Sequence, residues 1–364
     1  MTSKGTILVT GTNGGLGSAI VRNIISTPDL ASNYTGIYAV RKAATAKTLQ
    51  ATLARVPSNH KHETADVDLG SLASVRKVGA DINARVAKGE LPRIRALILN
   101  AGYQDHSGFA MSGDGFEMTW QVNFLSNLLL SLLLLQSMDA QDGRILIVGS
   151  WSHDIEDSRN NAVSAYKDAR YPTLFPGVEA LAKGTWSTPE EDPSSGSGFR
   201  RYGASKLCAI MLWGIVAVIE PLRGSALTFF YSEELANRIA KDPKLSNISV
   251  IGLDPGGMPT DIARRGSFLI GYVTMKLVLP VLSEVIVRLN PNGMVRPSRK
   301  SAADIIRACF EIEAHRGEAL HLDGSAAMQI AKDARDEVKR KELWEYGLKA
   351  AKIEERDTVL VDWK

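Results

Sequence analysis

Strands that alternate with helices predict an α/β fold, a doubly wound parallel sheet covered on both faces. Two further observations support it. The strand-like runs are continuously apolar, as strands buried on both faces require. A glycine-rich turn joins the first run to a helical pattern.

The elements follow in order. Thr6–Val9 is the first apolar run, then comes Gly11–Gly17, then the helical spacing Ala19, Ile20, Ile24, Ile25. Gly36–Val40 reads as strand two. Ser71–Val86 is helical, Ala96–Leu99 a buried strand, and Phe116–Leu135 a long helix. Arg144–Val148 and Ile248–Leu253 are further strands. Residues 154–199 interrupt the alternation with Ser, Gly, Asp and Pro clusters and read as a surface excursion, partly mobile. The charged stretch Asp333–Lys349 reads as a helix with Leu343-Trp344 as its docking anchor, and residues 350–364 carry no legible role. The whole is one domain with an enlarged substrate-side excursion and a lid.

At 364 residues, 45% hydrophobic and 23% charged, the chain is an ordinary globular one. A formal net charge of +3 gives no argument for a nucleic-acid partner. Cys208 and Cys309 stand far apart, which excludes a disulfide framework and a cysteine metal site. No secretory signal precedes the first strand, so a reducing, cytoplasmic setting is expected.

Thr10-Gly11-Thr12-Asn13-Gly14-Gly15-Leu16-Gly17 is suited to a dinucleotide. Glycines let the backbone approach a pyrophosphate, and the following helix offers free N–H groups. A tight strand-to-helix connection is the plainer alternative. Strand two ends in Val40-Arg41-Lys42, with two cations where a carboxylate would hold the 2′-hydroxyl of NAD. This favours NADP(H), with Arg41 ahead of Lys42, over a pair of solvated surface cations. Asp68 is placed either at the adenine amine or ahead of the helix at Ser71. Asn100-Ala101-Gly102 would let the chain pass close to the cofactor ribose, or is a simple turn.

Tyr202-Gly203-Ala204-Ser205-Lys206 sets a phenol and an ammonium four residues apart, on what reads as the first turn of a helix. A neighbouring cation would lower the phenol's pKa and allow proton exchange with a substrate oxygen. Tyr166-x-x-x-Arg170 has the same outline without the lysine or a following helix, and reads as a decoy.

Taken in order, the Gly11–Gly17 turn, Asn100-Ala101-Gly102, Asn123, Ser150 and Tyr202-x-x-x-Lys206 resemble the classical short-chain dehydrogenase/reductase family, over about residues 5–265. The sheet is then of the Rossmann type. The stretches around Arg201–Cys208 and Asp254–Thr260 are similar to a fungal, retinol-dehydrogenase-like branch. The resemblance implies that Tyr202 exchanges the proton and that Lys206 tunes Tyr202 and binds the nicotinamide ribose. It implies that Ser150 orients the substrate oxygen and that Asn123 holds a water linking Lys206 to solvent. Ser152 is the rival of Ser150, which is preferred because it follows Val148-Gly149. Pro255 and Gly256 would flank the nicotinamide amide, and Thr260 would touch the amide or pyrophosphate side. The implied reaction is NADP(H)-dependent interconversion of a carbonyl and an alcohol. Its rivals are non-redox chemistry on the same fold and an inactive dinucleotide-binding protein.

Two departures stand out. Ser150 and Tyr202 are 52 residues apart, and the resemblance suggests that some fungal and light-dependent protochlorophyllide reductase relatives share an enlarged segment here. Residues 213–231 interrupt the helix that carries Tyr202. Removing these 19 residues would space Leu212, Leu235 and Ile239 by successive fours, so the segment is either translated intron sequence or a genuine insertion. Glu220, Pro221 and Arg223 argue against a membrane span there. The resemblance also implies a homodimer across this helix, which the insertion stands against. The 264–300 region, with apolar Phe268–Leu289, reads first as a lid over a small hydrophobic substrate. Peripheral membrane contact and core packing are its alternatives.

Overall fold

The computed structural model describes residues 3–57, 59–213, 234–258, 279–312 and 319–364. Its strands are β1 (Gly5–Thr10), β2 (Tyr34–Val40), β3 (His62–Asp66), β4 (Ile94–Leu99), β5 (Arg144–Val148), β6 (Ser249–Asp254), β7 (Ala319–Asp323) and β8 (Ala326–Ala327). They form one sheet in the order β3-β2-β1-β4-β5-β6-β7-β8. Only the β7–β8 pair is antiparallel. The chain therefore winds outward in both directions from β1 and β4, and their carboxyl ends open the crevice where such sheets take ligands.

Apolar residues alternate between two cores because successive strand side chains face opposite ways. Leu8, Ile37, Leu97, Ile145 and Val250 join one cluster, with helices Leu72–Ala87, Met118–Ser137, Gly196–Trp213 and Glu337–Ala350. Ile7, Val9, Tyr38, Ile98, Leu146 and Ile251 join the other, against helices Gly15–Ser26 and Ser298–Phe310. Met118–Ser137 is apolar and long enough to cross a bilayer, yet it lies buried inside the protein as a core helix. Within it, Gln121–Leu125 is a π-helical turn.

The 154–199 segment is not a surface excursion. Leu174, Phe175, Val178, Leu181 and Ala182 belong to the larger core. Its Asp and Ser residues act as local caps: Asp157 accepts from Arg159 N at 2.8 Å, and Gly196 N donates to Ser194 Oγ at 3.0 Å. Such caps satisfy backbone groups that a loose coil would leave to water. They also start the next helix early. It runs Gly196–Trp213, so Tyr202 lies in its second turn rather than its first.

Two buried arginines fasten this segment to that helix. Arg200 donates to Ser187 Oγ (2.9 Å) and Asp192 Oδ2 (2.6 Å), and stacks 3.7 Å from the Tyr171 ring centroid. Arg201 donates to Ser187 O (2.6 Å) and pairs with buried Glu117 at 3.7 Å.

Leu212, Leu235 and Ile239 are buried in the same cluster, and helix Glu234–Lys241 packs on Gly196–Trp213. Residues 214–231 of the predicted insertion lie outside the described residues, as do Thr260 and the lid reading over residues 259–278. Leu279–Leu289 is helical. Trp344 is fully buried and donates to Trp363 O at 2.9 Å, and Arg76 binds Asp357 at 2.7 Å, so the last residues wrap back onto the domain.

Candidate active site

The glycine turn after β1 is shaped by close approach. Gly11 has φ +71°, and a Cβ there would stand 2.8 Å from Ala101 Cα. A Cβ on Gly17 would stand 2.3 Å from Gly11 O. Thr10 Oγ1 accepts from Asn100 N and Ala101 N, each at 3.0 Å, and Asn100 Nδ2 donates to Thr10 O at 2.7 Å. These bonds tie the turns after β1 and β4 together. Gly102 follows at the surface. Gly14 caps helix Gly15–Ser26 without a side chain, and no acid stands in its first turn. The N–H groups around Gly15, Leu16 and Gly17 remain suited to an anion.

Two predicted cofactor residues are already engaged. Thr12 is buried, with its hydroxyl on Ala39 O at 3.2 Å. Asn13 Oδ1 accepts from Thr48 N (3.0 Å) and Leu49 N (3.2 Å), capping the neighbouring helix Lys47–Leu53. Beyond β2, Arg41 and Lys42 are exposed at the rim. Arg41 Nε is 3.9 Å from Asp68 Oδ1, and both side chains remain more than half exposed at 67% and 51%. Asp68 also accepts from Gly70 N at 3.0 Å, a turn role beside the predicted adenine contact.

On the far side of the crevice, Ser150 follows β5, and its Oγ lies 2.7 Å from Ser152 Oγ. The two candidate serines thus form one hydroxyl pair. Lys206 is 4% exposed and donates to Val148 O at 2.8 Å, with Nζ 5.8 Å from the Tyr202 ring centroid. Asn123 sits in the π turn. Its Oδ1 accepts from Tyr103 N (2.7 Å) and its Nδ2 donates to Tyr103 O (3.0 Å) and Ser205 Oγ (2.9 Å). It binds the loop after β4 to the Tyr202 helix. π turns recur at functional sites, and no sequence pattern announced this one.

Electrostatics correct one expectation. The Tyr202 phenol is driven well above its ordinary value by burial, which the Ser150 hydroxyl only partly opposes. Burial also pulls the Lys206 ammonium down to about 8, against the attraction of Asp254. In the free protein Tyr202 is therefore a held proton rather than a phenolate. A phenol in that state carries the proton that reduction needs but gives it up reluctantly, so donation depends on the neighbouring Lys206 ammonium to support the phenolate left behind.

Several supporting groups escaped the sequence reading. Tyr166, the decoy, lies in the site: its hydroxyl meets Ser152 O at 3.1 Å and Phe199 O at 3.2 Å. A Cβ on Gly203 would stand 2.4 Å from that hydroxyl, so the glycine beside Tyr202 makes room for it. His153 Nδ1 meets Ser150 O at 2.7 Å, and its Nε2 accepts from Ala331 N at 3.2 Å. Those partners require a neutral ring protonated on Nδ1. At the end of β6, Asp254 accepts from Gly256 N at 2.9 Å, and Ser301 Oγ donates to Pro255 O at 2.6 Å. Gly256 has φ +77°, with the Arg296 side chain where a Cβ would fall.

A glycine cradle at the sheet's switch point, facing a Ser–Tyr–Lys set, defines a nicotinamide-dinucleotide-dependent oxidoreductase. The short chain dehydrogenase family profile matches residues 5–169. Over the full length of both chains, the protein is 43% identical to the short-chain dehydrogenase iccH of Talaromyces variabilis. It is 29% identical to the short-chain dehydrogenase fogG of Aspergillus ruber, over 74% of this chain and 65% of that one. The chain belongs to the short-chain dehydrogenase family. Among solved structures, Pseudomonas aeruginosa RhlG in its NADP active-site complex matches with TM-score 0.51 and 18% identity, over 88% of this chain and 96% of that one. NADPH-bound carbonyl reductase from chicken fatty liver matches with TM-score 0.51 and 16% identity, over 90% and 99%. At these identities the likeness is one of fold.

Proposed function

We propose that the protein interconverts a carbonyl and an alcohol on a small hydrophobic substrate, using NADP(H). The observation that carries the reading is that Ser150 bonds the Tyr202 phenol and Lys206 lies 5.8 Å from its ring, on a sheet whose first turn is a glycine cradle that a single Cβ would fill. The turn Gly11–Gly17, the Asn100–Gly102 loop, Pro255 and Gly256 would hold the dinucleotide. Arg41 and Lys42 would meet a 2′-phosphate, since both are cations at the end of β2 and neither is buried. The complexes named for RhlG and the chicken reductase lend this choice support.

When bound, the cofactor supplies or accepts the hydride. The chain's residues manage the oxygen. Ser150 Oγ hydrogen-bonds it, and Tyr202 passes its proton to it in reduction or takes the proton back in oxidation. Lys206, as an ammonium, favours the phenolate that remains after donation. Asn123 keeps the β4 loop and the Tyr202 helix in register. Ser152 and His153 fix Ser150 from below.

The test is NADPH and NADH oxidation against a panel of hydrophobic ketones. NADPH-preferring turnover is expected. Tyr202→Phe should lower it by roughly 10²–10⁴-fold while NADPH binding, read by fluorescence titration, stays intact. Retained turnover in that variant would refute the proton-donor role.

A further inference from the structure

Lys206 poses an electrostatic problem. Its ammonium is buried, and among the described residues its one hydrogen bond goes to a neutral acceptor, the Val148 carbonyl. A buried cation needs a compensating charge, or it sheds its proton.

The compensating charge stands at the neighbouring strand end. Val148 pairs with Leu253, and Gly149 N donates to Leu253 O at 2.7 Å, so Asp254 is the next residue along from the lysine's anchor. Asp254 is fully buried. Its Oδ1 is used by Gly256 N, and its Oδ2 takes no hydrogen bond among the described residues. Arg159 Nη1, delivered by the 154–199 segment, lies 3.4 Å from that Oδ2 and 3.0 Å from Asp323 Oδ2. Arg159 also binds Asp157 at 2.6 Å and covers the Trp151 ring, 5.0 Å from its centroid. Arg296 completes the cluster, donating to Asp323 and, at 3.2 Å, to Asp254 O.

Among the described residues, Arg159 lies closer to the other two carboxylates, 2.6 Å from Asp157 and 3.0 Å from Asp323, than to Asp254 Oδ2 at 3.4 Å. Asp254 is the least compensated of the three, and Lys206 is the buried cation at the adjoining strand end. The other groups that face it are neutral. Tyr202 and Tyr166 hold their protons, Asn123 and Ser150 carry no charge, and His153 is fixed in its neutral form by its two partners. His321, packed against Gly252 and His153, is pushed down to about 3 by burial and is neutral too.

We propose that Asp254 is the buried counter-ion of Lys206, held in place and kept charged by Arg159, so that both act as positioning residues for the Tyr202–Lys206 pair. The enlarged 154–199 segment thereby gains a role: it carries the guanidinium that sustains the counter-ion. The inference rests on Lys206 serving the site proposed above. Its direction agrees with Asp254 raising the Lys206 value and with Arg159 lowering that of Asp254, which burial nonetheless leaves raised, at about 6.

The test is an NMR titration of the full chain labelled with [ε-¹³C]lysine, the Lys206 signal being the one lost in Lys206→Met. In the parent it should titrate near 8. Asp254→Asn, which keeps an acceptor for Gly256 N, should move the midpoint down by about one unit or more, a tenfold change in proton affinity. Asp323→Asn removes an equal charge on β7, one strand farther from Val148 than Asp254, and should move the midpoint less than Asp254→Asn does. Should Asp254→Asn fail to fold, the reciprocal measurement decides: with [γ-¹³C]aspartate, Lys206→Met should raise the Asp254 midpoint by a matching amount. An unmoved midpoint in either titration overturns the proposal. The readout needs no turnover, so it is separable from the proposed function. Coupling without catalysis would sink that reading alone, and a Tyr202-dependent enzyme without coupling would sink this one alone.

Discussion

The cofactor half and the catalytic half of this molecule are built on different physics. Around β1, β2 and β4 the site is made by backbone: Gly11, Gly14 and Gly17 clear space, and charge enters at the exposed rim through Arg41, Lys42 and Asp68. Around β5, β6 and the Tyr202 helix it is made by buried charge and long-range bonds: Arg200, Arg201 and Arg159 all reach between distant segments. Removing side chains from the first half should change binding more than stability. Removing them from the second should endanger the fold together with the chemistry.

The largest expected effect lies in the second half. Arg201→Met leaves Glu117 buried without its cation and should lower stability by about 3–5 kcal/mol, read as a large fall in Tm. Survival of the parent Tm would break the contrast at its strongest point. Next comes Gly17→Ala, whose Cβ meets a backbone oxygen at 2.3 Å. It should cost about 1–3 kcal/mol of stability and, more tellingly, abolish dinucleotide binding by calorimetry.

A smaller change is expected for Arg41→Asp. Its side chain is exposed, so Tm should hold, while preference for NADPH over NADH falls by about tenfold or more, roughly 1.4 kcal/mol. An unchanged ratio of kcat/KM values would remove Arg41 from cofactor choice. The smallest effect belongs to the Arg85–Glu63 ion pair at 2.7 Å, which lies away from both halves of the site. Arg85→Ala should alter stability by only about 0.2–1 kcal/mol, a baseline for the other three.

The same contrast explains what could be read from residues alone. β1, β4 and β5 are apolar runs beside glycine or Asn-Gly turns, and local pattern is enough to place them within two residues. β3, with the polar sequence His-Glu-Thr-Ala-Asp at the sheet edge, offers no such run. Tyr202 and Lys206 are legible because helical spacing is local. The Arg159–Asp323 bond spans 164 positions, so no window contains both partners. The 154–199 segment misled for a related reason. Its Asp, Ser and Gly residues have the composition of a mobile loop, but here they cap short helical turns around buried Leu174 and Phe175. The cap that Asn13 provides was not legible either, because the helix it serves lies 35 positions away.

Since Lys206 titrates near 8, kcat/KM should fall as pH rises through that value, when the ammonium that supports Tyr202 is lost.

The most direct measurement of the central claim is label transfer. The protein is incubated with stereospecifically [4-²H]NADPH and a hydrophobic ketone it turns over, and the product is weighed by mass spectrometry, with Tyr202→Phe in parallel. Hydride transfer predicts an alcohol carrying one deuterium on its carbinol carbon from one of the two NADPH stereoisomers, and almost none from the variant. A product formed without deuterium from either isomer, or formed equally by Tyr202→Phe, would contradict it.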